Sequence, residues 1–226
     1  MSGADLRQAR MAKGWTQNDV AETLGVSQAY VCMLESGRRA VPDRLLRKVV
    51  AALGLPPSAL PVTAESAPLQ AEGVARALGS LGFDGFAHMR QTRKLNPAEL
   101  LVRTLSAQNV EARLVEALPW LLLNYPNVDW AWLLSAAKQN DLQNRLGFVV
   151  TVARRLAETR GRTSAAEVLR HWESVLEHSR LQKEEAFSGD ALTEAERKWL
   201  RNHRSEEAAQ WNLLTNISAE TVGNGF

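Results

Sequence analysis

Residues 6–55 constrain this chain most, because helix starts and stops follow one another there too closely for anything but a cluster of short helices. Thr16 can cap a helix over 17–24, its hydroxyl accepting from an amide of the first turn that has no other partner. Gly25 suits the left-handed residue that ends that helix. Ser27 offers a second cap for a helix over 28–36, and Gly37 stops it. Pro42 stands where a proline is tolerated, at the start of a helix over 43–53. Leu6, Val20, Ala21, Leu24, Val26, Val31, Leu34, Leu45, Val49 and Leu53 recur at spacings that turn them to a common centre. The expectation is a five-helix domain over residues 1–56, small but able to fold alone. Two short helices joined at a glycine, the second with a polar outer face, make a unit that fits the major groove of DNA.

The spaced residues Thr16, Gln17, Val20, Ala21, Leu24, Gly25, Val26, Ser27, Gln28, Tyr30, Val31, Leu34, Glu35 and Gly37 form a pattern that resembles the Cro/C1-type (XRE) helix-turn-helix family. The resemblance covers about a quarter of the chain and implies a lambda-repressor-like fold. It implies that Gln28, Ala29, Cys32 and Met33 face the major groove while Val31 and Leu34 face the core. Gln17 would hydrogen-bond a phosphate from its helix start, with Ser27, Arg38, Arg39 and Arg44 near the backbone. Arg10 and Glu35 match a pair that forms a buried ion pair in this family, an architectural role. Tyr30 has two readings, packing on the preceding helix or contacting phosphate through its hydroxyl.

The face assigned to DNA is weakly charged. Gln28 has the amide geometry to pair bidentately with adenine, and Ala29 and Met33 can touch a thymine methyl. No arginine occurs in 28–36, so the commonest guanine contact is absent there. An operator with an A/T-containing core in each half-site follows, held by phosphate contacts from the flanking arginines. One such module covers one half-site, so a homodimer on a palindromic operator of double-stranded DNA is expected.

Charge supports the same division. The first 60 residues hold eight Lys and Arg against five Asp and Glu, and the remainder hold 19 against 20. The single cysteine, Cys32, excludes an intrachain disulfide framework and fits a reducing compartment. A redox switch on the DNA face is one reading of it; an unreactive small residue is the simpler one. The N-terminal residues are not those of a signal peptide, and no apolar run approaches the roughly 20 residues that span a bilayer. A cytoplasmic protein with no membrane contact is expected.

Pro56-Pro57 closes the first module, and 57–68 reads as a linker of proline and small polar residues. From there the pattern is helical: an all-helical partner-binding or oligomerisation domain over 69–218, with a tail over 219–226. Helices are expected over 70–81, 97–107, 110–125 (kinked or split at Pro119), 129–140, 141–160, 164–187, 193–203 and 205–214. Asp141 reads as a helix cap with Arg145 as its i+4 partner, and Thr193 with Glu196 as a capping box. No stretch alternates with period two for long enough to make a strand. The fold class is therefore all-α, with the second half a helical bundle or short helical stack.

Chemistry is sparse in this half. His88, His171, His178 and His203 are scattered without metal-ligand spacing, and no phosphate loop or nucleophile elbow occurs. No metal, no cofactor and no catalytic residue is expected, and the chain is not read as an enzyme. Trp130 and Trp132 are two residues apart, so one helix cannot bury both on one face, and one of them is a candidate interface anchor. The basic run 88–94, with Arg90, Arg93 and Lys94, is a solvated loop or a contact for nucleic acid or an acidic partner.

The segments NPAELL, VEALPWLLLNYPNVDWAWLLSAAKQNDLQNRLGFVVTVARRLAE and LTEAERKWLRNHRSEEAAQWNLLT resemble XRE-domain proteins paired with AbiE-type nucleotidyltransferase toxins. That resemblance implies an antitoxin and autorepressor, a transcriptional repressor whose partner carries the catalysis. The alternative is a stand-alone XRE-family regulator of phage or mobile-element origin, whose helical half oligomerises or senses a ligand. A third reading is an interaction scaffold or RNA-associated protein whose first module has lost sequence specificity.

Overall fold

A computed structural model describes residues 1–62, 67–91, 94–107, 111–187 and 192–223. The chain divides into two compact units, residues 1–62 and 63–226. The first unit holds α1 (Gly3–Ala12), α2 (Gln17–Leu24), α3 (Gln28–Glu35) and α4 (Asp43–Leu53). The fifth helical element is a single 3-10 turn, Pro57–Ala59. Leu60, the residue before Pro61, is extended, the backbone that a following proline favours, and the helix stops there.

Leu6, Val20, Ala21, Leu24, Val31, Leu34, Val49 and Leu53 form the buried centre of this unit. Leu6, Val31, Leu34 and Val49 are wholly inaccessible, so truncating Leu34 to Ala would cost about 2–5 kcal/mol. Pro57 and Leu60 are also buried. The boundary expected at residue 56 therefore lies later, and the first residues of the expected linker belong to the first unit. Its last ones are tied down too: Arg103 donates from Nε to the Ala67 carbonyl at 2.8 Å, and the Leu69 amide donates to the Arg103 carbonyl.

The second unit holds α5 (Ala71–Leu81), a 3-10 stretch (Asp84–Met89), α6 (Pro97–Leu105), α7 (Ala112–Glu116), α8 (Leu118–Asn124) and α9 (Trp130–Gln139). It continues with α10 (Gln143–Thr159), α11 (Thr163–Glu177), α12 (Glu194–His203), α13 (Glu206–Gln210) and α14 (Ala219–Gly223). The helix expected over 110–125 is split, with Ala117 between α7 and α8 and Pro119 in the first turn of α8. Helix α10 is the spine. It buries Leu146, Phe148, Val149, Val150, Val152, Ala153 and Leu156, which lie around much of its circumference. A β-carbon on Gly147 would lie 2.4 Å from the indole of Trp211, so only glycine leaves room for that ring. The Trp211 Nε1 donates to Thr151 Oγ1 at 2.8 Å, and Thr151 donates to Glu173 on α11 at 2.8 Å.

Four expectations about this unit need correction. Asp141 has φ of 53° and sits in the turn that ends α9, where a short polar side chain tolerates the left-handed region; it caps nothing. Arg145 instead pairs with Glu185 at 3.1 Å and donates to the Leu105 carbonyl. The helix expected over 164–187 stops at Glu177, because Asn144 takes the Leu181 amide and donates to the Leu181 carbonyl, holding the chain away from the helical path. Residues beyond it supply β1 (Glu185–Ala186), which pairs in parallel with β2 (Leu213–Leu214), register Glu185 to Leu213. The helix expected over 205–214 consequently ends at Gln210. The expected tail contains α14, whose Val222 is buried in the core.

Candidate nucleic-acid interface

Each end of α2 and α3 is set by its own residues. The Thr16 hydroxyl accepts from the Asp19 amide at 3.2 Å, and Asp19 accepts from the Thr16 amide at 2.7 Å, a reciprocal cap. Gly25 adopts φ 70°, ψ 40° between the helices, and Ser27 accepts from the Tyr30 amide to start α3. Val31, Leu34 and Glu35 then turn inward, while Gln28, Ala29 and Cys32 are exposed and Met33 is half-buried. One of the determinants is invisible in the α2–α3 sequence. A β-carbon on Gly3 would lie 2.1 Å from the Leu34 carbonyl, so the start of α1 seats against the end of α3 only because that position is glycine.

A chain of four side chains connects the interior to the exposed face. Arg10 grips Glu35 with two nitrogens, Nε to Oε1 at 2.6 Å and Nη2 to Oε2 at 3.1 Å, and its Nη1 donates to the Trp15 carbonyl at 2.7 Å. Gln17 Nε2 donates to Glu35 Oε2 at 2.9 Å. Gln28 Nε2 donates to Gln17 Oε1 at 2.6 Å. The polarity of this chain is forced. A carboxylate only accepts, so Gln17 must donate to it and keeps its oxygen for Gln28, which must in turn donate. Gln28 is left with an acceptor oxygen and one N–H, the pair that matches adenine N6 and N7.

Burial pushes the Glu35 carboxyl up, but hydrogen bonds from Arg10 and Gln17, with the charges of Arg10 and Arg7, outweigh it and hold it below the usual carboxylate range. The Arg10 guanidinium is correspondingly raised, chiefly by its hydrogen bond to Glu35. The Gln17 amide serves Glu35 and Gln28 and keeps one N–H, the group that the phosphate contact expected of it would use. Arg38, Arg39 and Arg44 are exposed beyond α3, in the connecting turn and at the start of α4. Tyr30 is half-buried with the Arg39 guanidinium 5.8 Å from its ring centroid, which holds a cation beside α3.

The positions picked out in the second unit fare differently. Trp130 is buried and stacked on Trp172, centroids 5.1 Å apart, with its Nε1 donating to the Pro126 carbonyl at 2.8 Å. It is a core residue and unavailable as an anchor. Trp132 is half-buried and packed against the same core. Arg90 is exposed, 3.6 Å from Asp84, and Lys94 is exposed; Arg93 lies outside the described residues. The exposed tryptophan is Trp199. Its signal was present in the sequence, as residues 194–203 carry too few apolar side chains to bury a helix face. No group of three or more His, Cys, Asp or Glu suited to a metal occurs among the described residues.

Residues 6–60 match the helix-turn-helix family. The chain belongs to the helix-turn-helix family. Its relatives include the transcriptional regulator ClgR of Mycobacterium tuberculosis, in strains CDC 1551 / Oshkosh and ATCC 25618 / H37Rv. Each is 36% identical over 75 residues, which is 33% of this chain and 67% of that protein. No solved structure matches the chain. The helix-turn-helix match stops at residue 60, close to the end of the first unit, so the larger second unit lies outside it. Among the described residues no helix is long and apolar enough to cross a membrane.

Proposed function

We propose that this helix-turn-helix protein is a sequence-specific transcriptional repressor that binds a palindromic operator as a homodimer. The observation that carries the reading is the chain from Arg10 through Glu35 and Gln17 to Gln28. It spends buried, charged groups to orient one exposed amide at the start of α3. An amide with fixed donor and acceptor discriminates one base pair, whereas a general DNA binder needs only the arginines around it. Similarity to a transcriptional regulator over 75 residues supports a regulatory role. The test is binding to the DNA upstream of the chain's own gene. Gln28→Ala is expected to relax discrimination at one base pair per half-site by about 1–3 kcal/mol while leaving non-specific affinity unchanged. Equal losses on operator and random DNA would make Gln28 a positioning residue only.

For the second unit we propose a non-catalytic role as the antitoxin part of a two-component system, the partner being a nucleotidyltransferase toxin. This rests on the resemblance of residues 96–215 to XRE-domain antitoxins. Co-expression with the adjacent reading frame tests it: growth arrest by the neighbour alone, relieved by this chain and accompanied by co-purification, is expected. A harmless neighbour that does not bind leaves the stand-alone regulator.

A further inference from the structure

Three exposed arginines follow α3, Arg38, Arg39 and Arg44, and Arg39 differs from the other two. Gly37 has φ of 71° and turns the chain back at the end of α3, and the Arg39 amide then donates to the Met33 carbonyl at 3.1 Å. The Arg39 guanidinium lies over the Tyr30 ring, 5.8 Å from its centroid. Arg39 is therefore tied to α3 both by its backbone and by its side chain. Neither Arg38 nor Arg44 lies over a ring among the described residues. The ring that holds Arg39 is itself fixed. Tyr30 is half-buried against the core of the first unit, and its amide donates to Ser27 Oγ at 3.2 Å in the cap of α3.

We infer that Tyr30 is a positioning residue for Arg39, and that Arg39 meets a DNA phosphate with its side chain already in place. A cation is drawn to the face of an aromatic ring without spending a hydrogen bond. The guanidinium thus keeps its N–H donors for the paired contact that it makes with phosphate oxygens. No carboxylate competes for those donors, since Arg39 takes part in no ion pair among the described residues. An arginine free in solvent loses rotamer freedom when it binds, and one already held loses less, so holding it raises affinity. This role is neither packing on the preceding helix nor a phosphate contact through the hydroxyl. It needs the Tyr30 ring and not its oxygen. It rests on the DNA reading of α3, though not on the base preference of Gln28.

The test is a double-mutant cycle on the full chain. Fluorescence anisotropy at fixed salt would read binding to two duplexes, one from upstream of the gene and one random. Tyr30→Leu is expected to weaken binding to both by about two- to fivefold, the range of an exposed cation–π contact. In an Arg39→Ala background the same substitution should cause no further loss. Tyr30→Phe restores the ring and should recover the affinity lost in Tyr30→Leu. Because Tyr30 also packs on the core, the contact is read separately by NMR of the free wild-type chain. Ring current should move the side-chain protons of Arg39 upfield, and those of Arg38 should stay at ordinary positions. Unchanged affinity in Tyr30→Leu, additive losses from Tyr30→Leu and Arg39→Ala, no recovery in Tyr30→Phe, or Arg39 protons at the positions of Arg38 would each overturn the inference. Equal affinity for the two duplexes with the coupling intact would overturn the operator reading and leave Tyr30 in its role. Strong preference for the upstream duplex without the coupling would do the reverse, and no binding to either duplex would overturn both.

Discussion

At the scale of single residues, a buried carboxylate orients an exposed amide: Glu35 holds Gln17, and Gln17 holds Gln28. Glu35 is held below the usual carboxylate range by Arg10 and Gln17 against the opposing effect of burial. Its contribution to stability is therefore fully present above the ordinary glutamate value of about 4.3 and is lost as pH falls through the lowered folded value. Thermal melts from pH 6 down to pH 3 should show the first unit losing stability in that window, with a smaller loss in Glu35→Gln. Arg10→Met leaves a buried charge unpaired and should cost about 3–5 kcal/mol at pH 7. Gln17→Ala should lower discrimination at the Gln28 base pair, because Gln28 loses its tether, and any accompanying loss of affinity for random DNA reports the phosphate contact expected of Gln17. The Arg10 and Glu35 pairing was legible through the family pattern. The part played by Gln17 was not, because spacing along α2 gives no account of which amide lies across from it on α3.

At the scale of elements, legibility followed the locality of the signal. Helices α2, α3 and α12 begin where capping residues said they would, since a cap acts within three or four residues of itself. The errors came where distant groups decide. Asn144 ends the path of α11 from 37 residues away, and the Gly147 slot for Trp211 joins residues 64 positions apart, which no periodicity records. Substituting that glycine tests the packing. Gly147→Ala should destabilise the second unit by about 1–3 kcal/mol through overpacking, read by chemical denaturation, with DNA affinity of the folded protein unchanged. Gly3→Ala should instead disturb the seat of α3 and weaken specific DNA binding.

At the scale of the whole molecule, two units divide the work. Residues 1–62 carry the helix-turn-helix and the basic excess, and the all-helical remainder carries the exposed helix α12. The phosphate contacts proposed for the exposed Arg38, Arg39 and Arg44 would supply affinity without sequence information, so replacing any one by Ala should reduce the slope of log affinity against log salt by about 1. The central claim, that α3 reads sequence through an oriented amide, is tested most directly by the specificity ratio. Fluorescence anisotropy at fixed physiological salt would compare the upstream DNA of the gene with random duplex of equal length. The account predicts binding to the upstream DNA at least about 10³-fold tighter, with most of the preference at A/T positions lost in Gln28→Ala. Equal affinity for the two duplexes would contradict it.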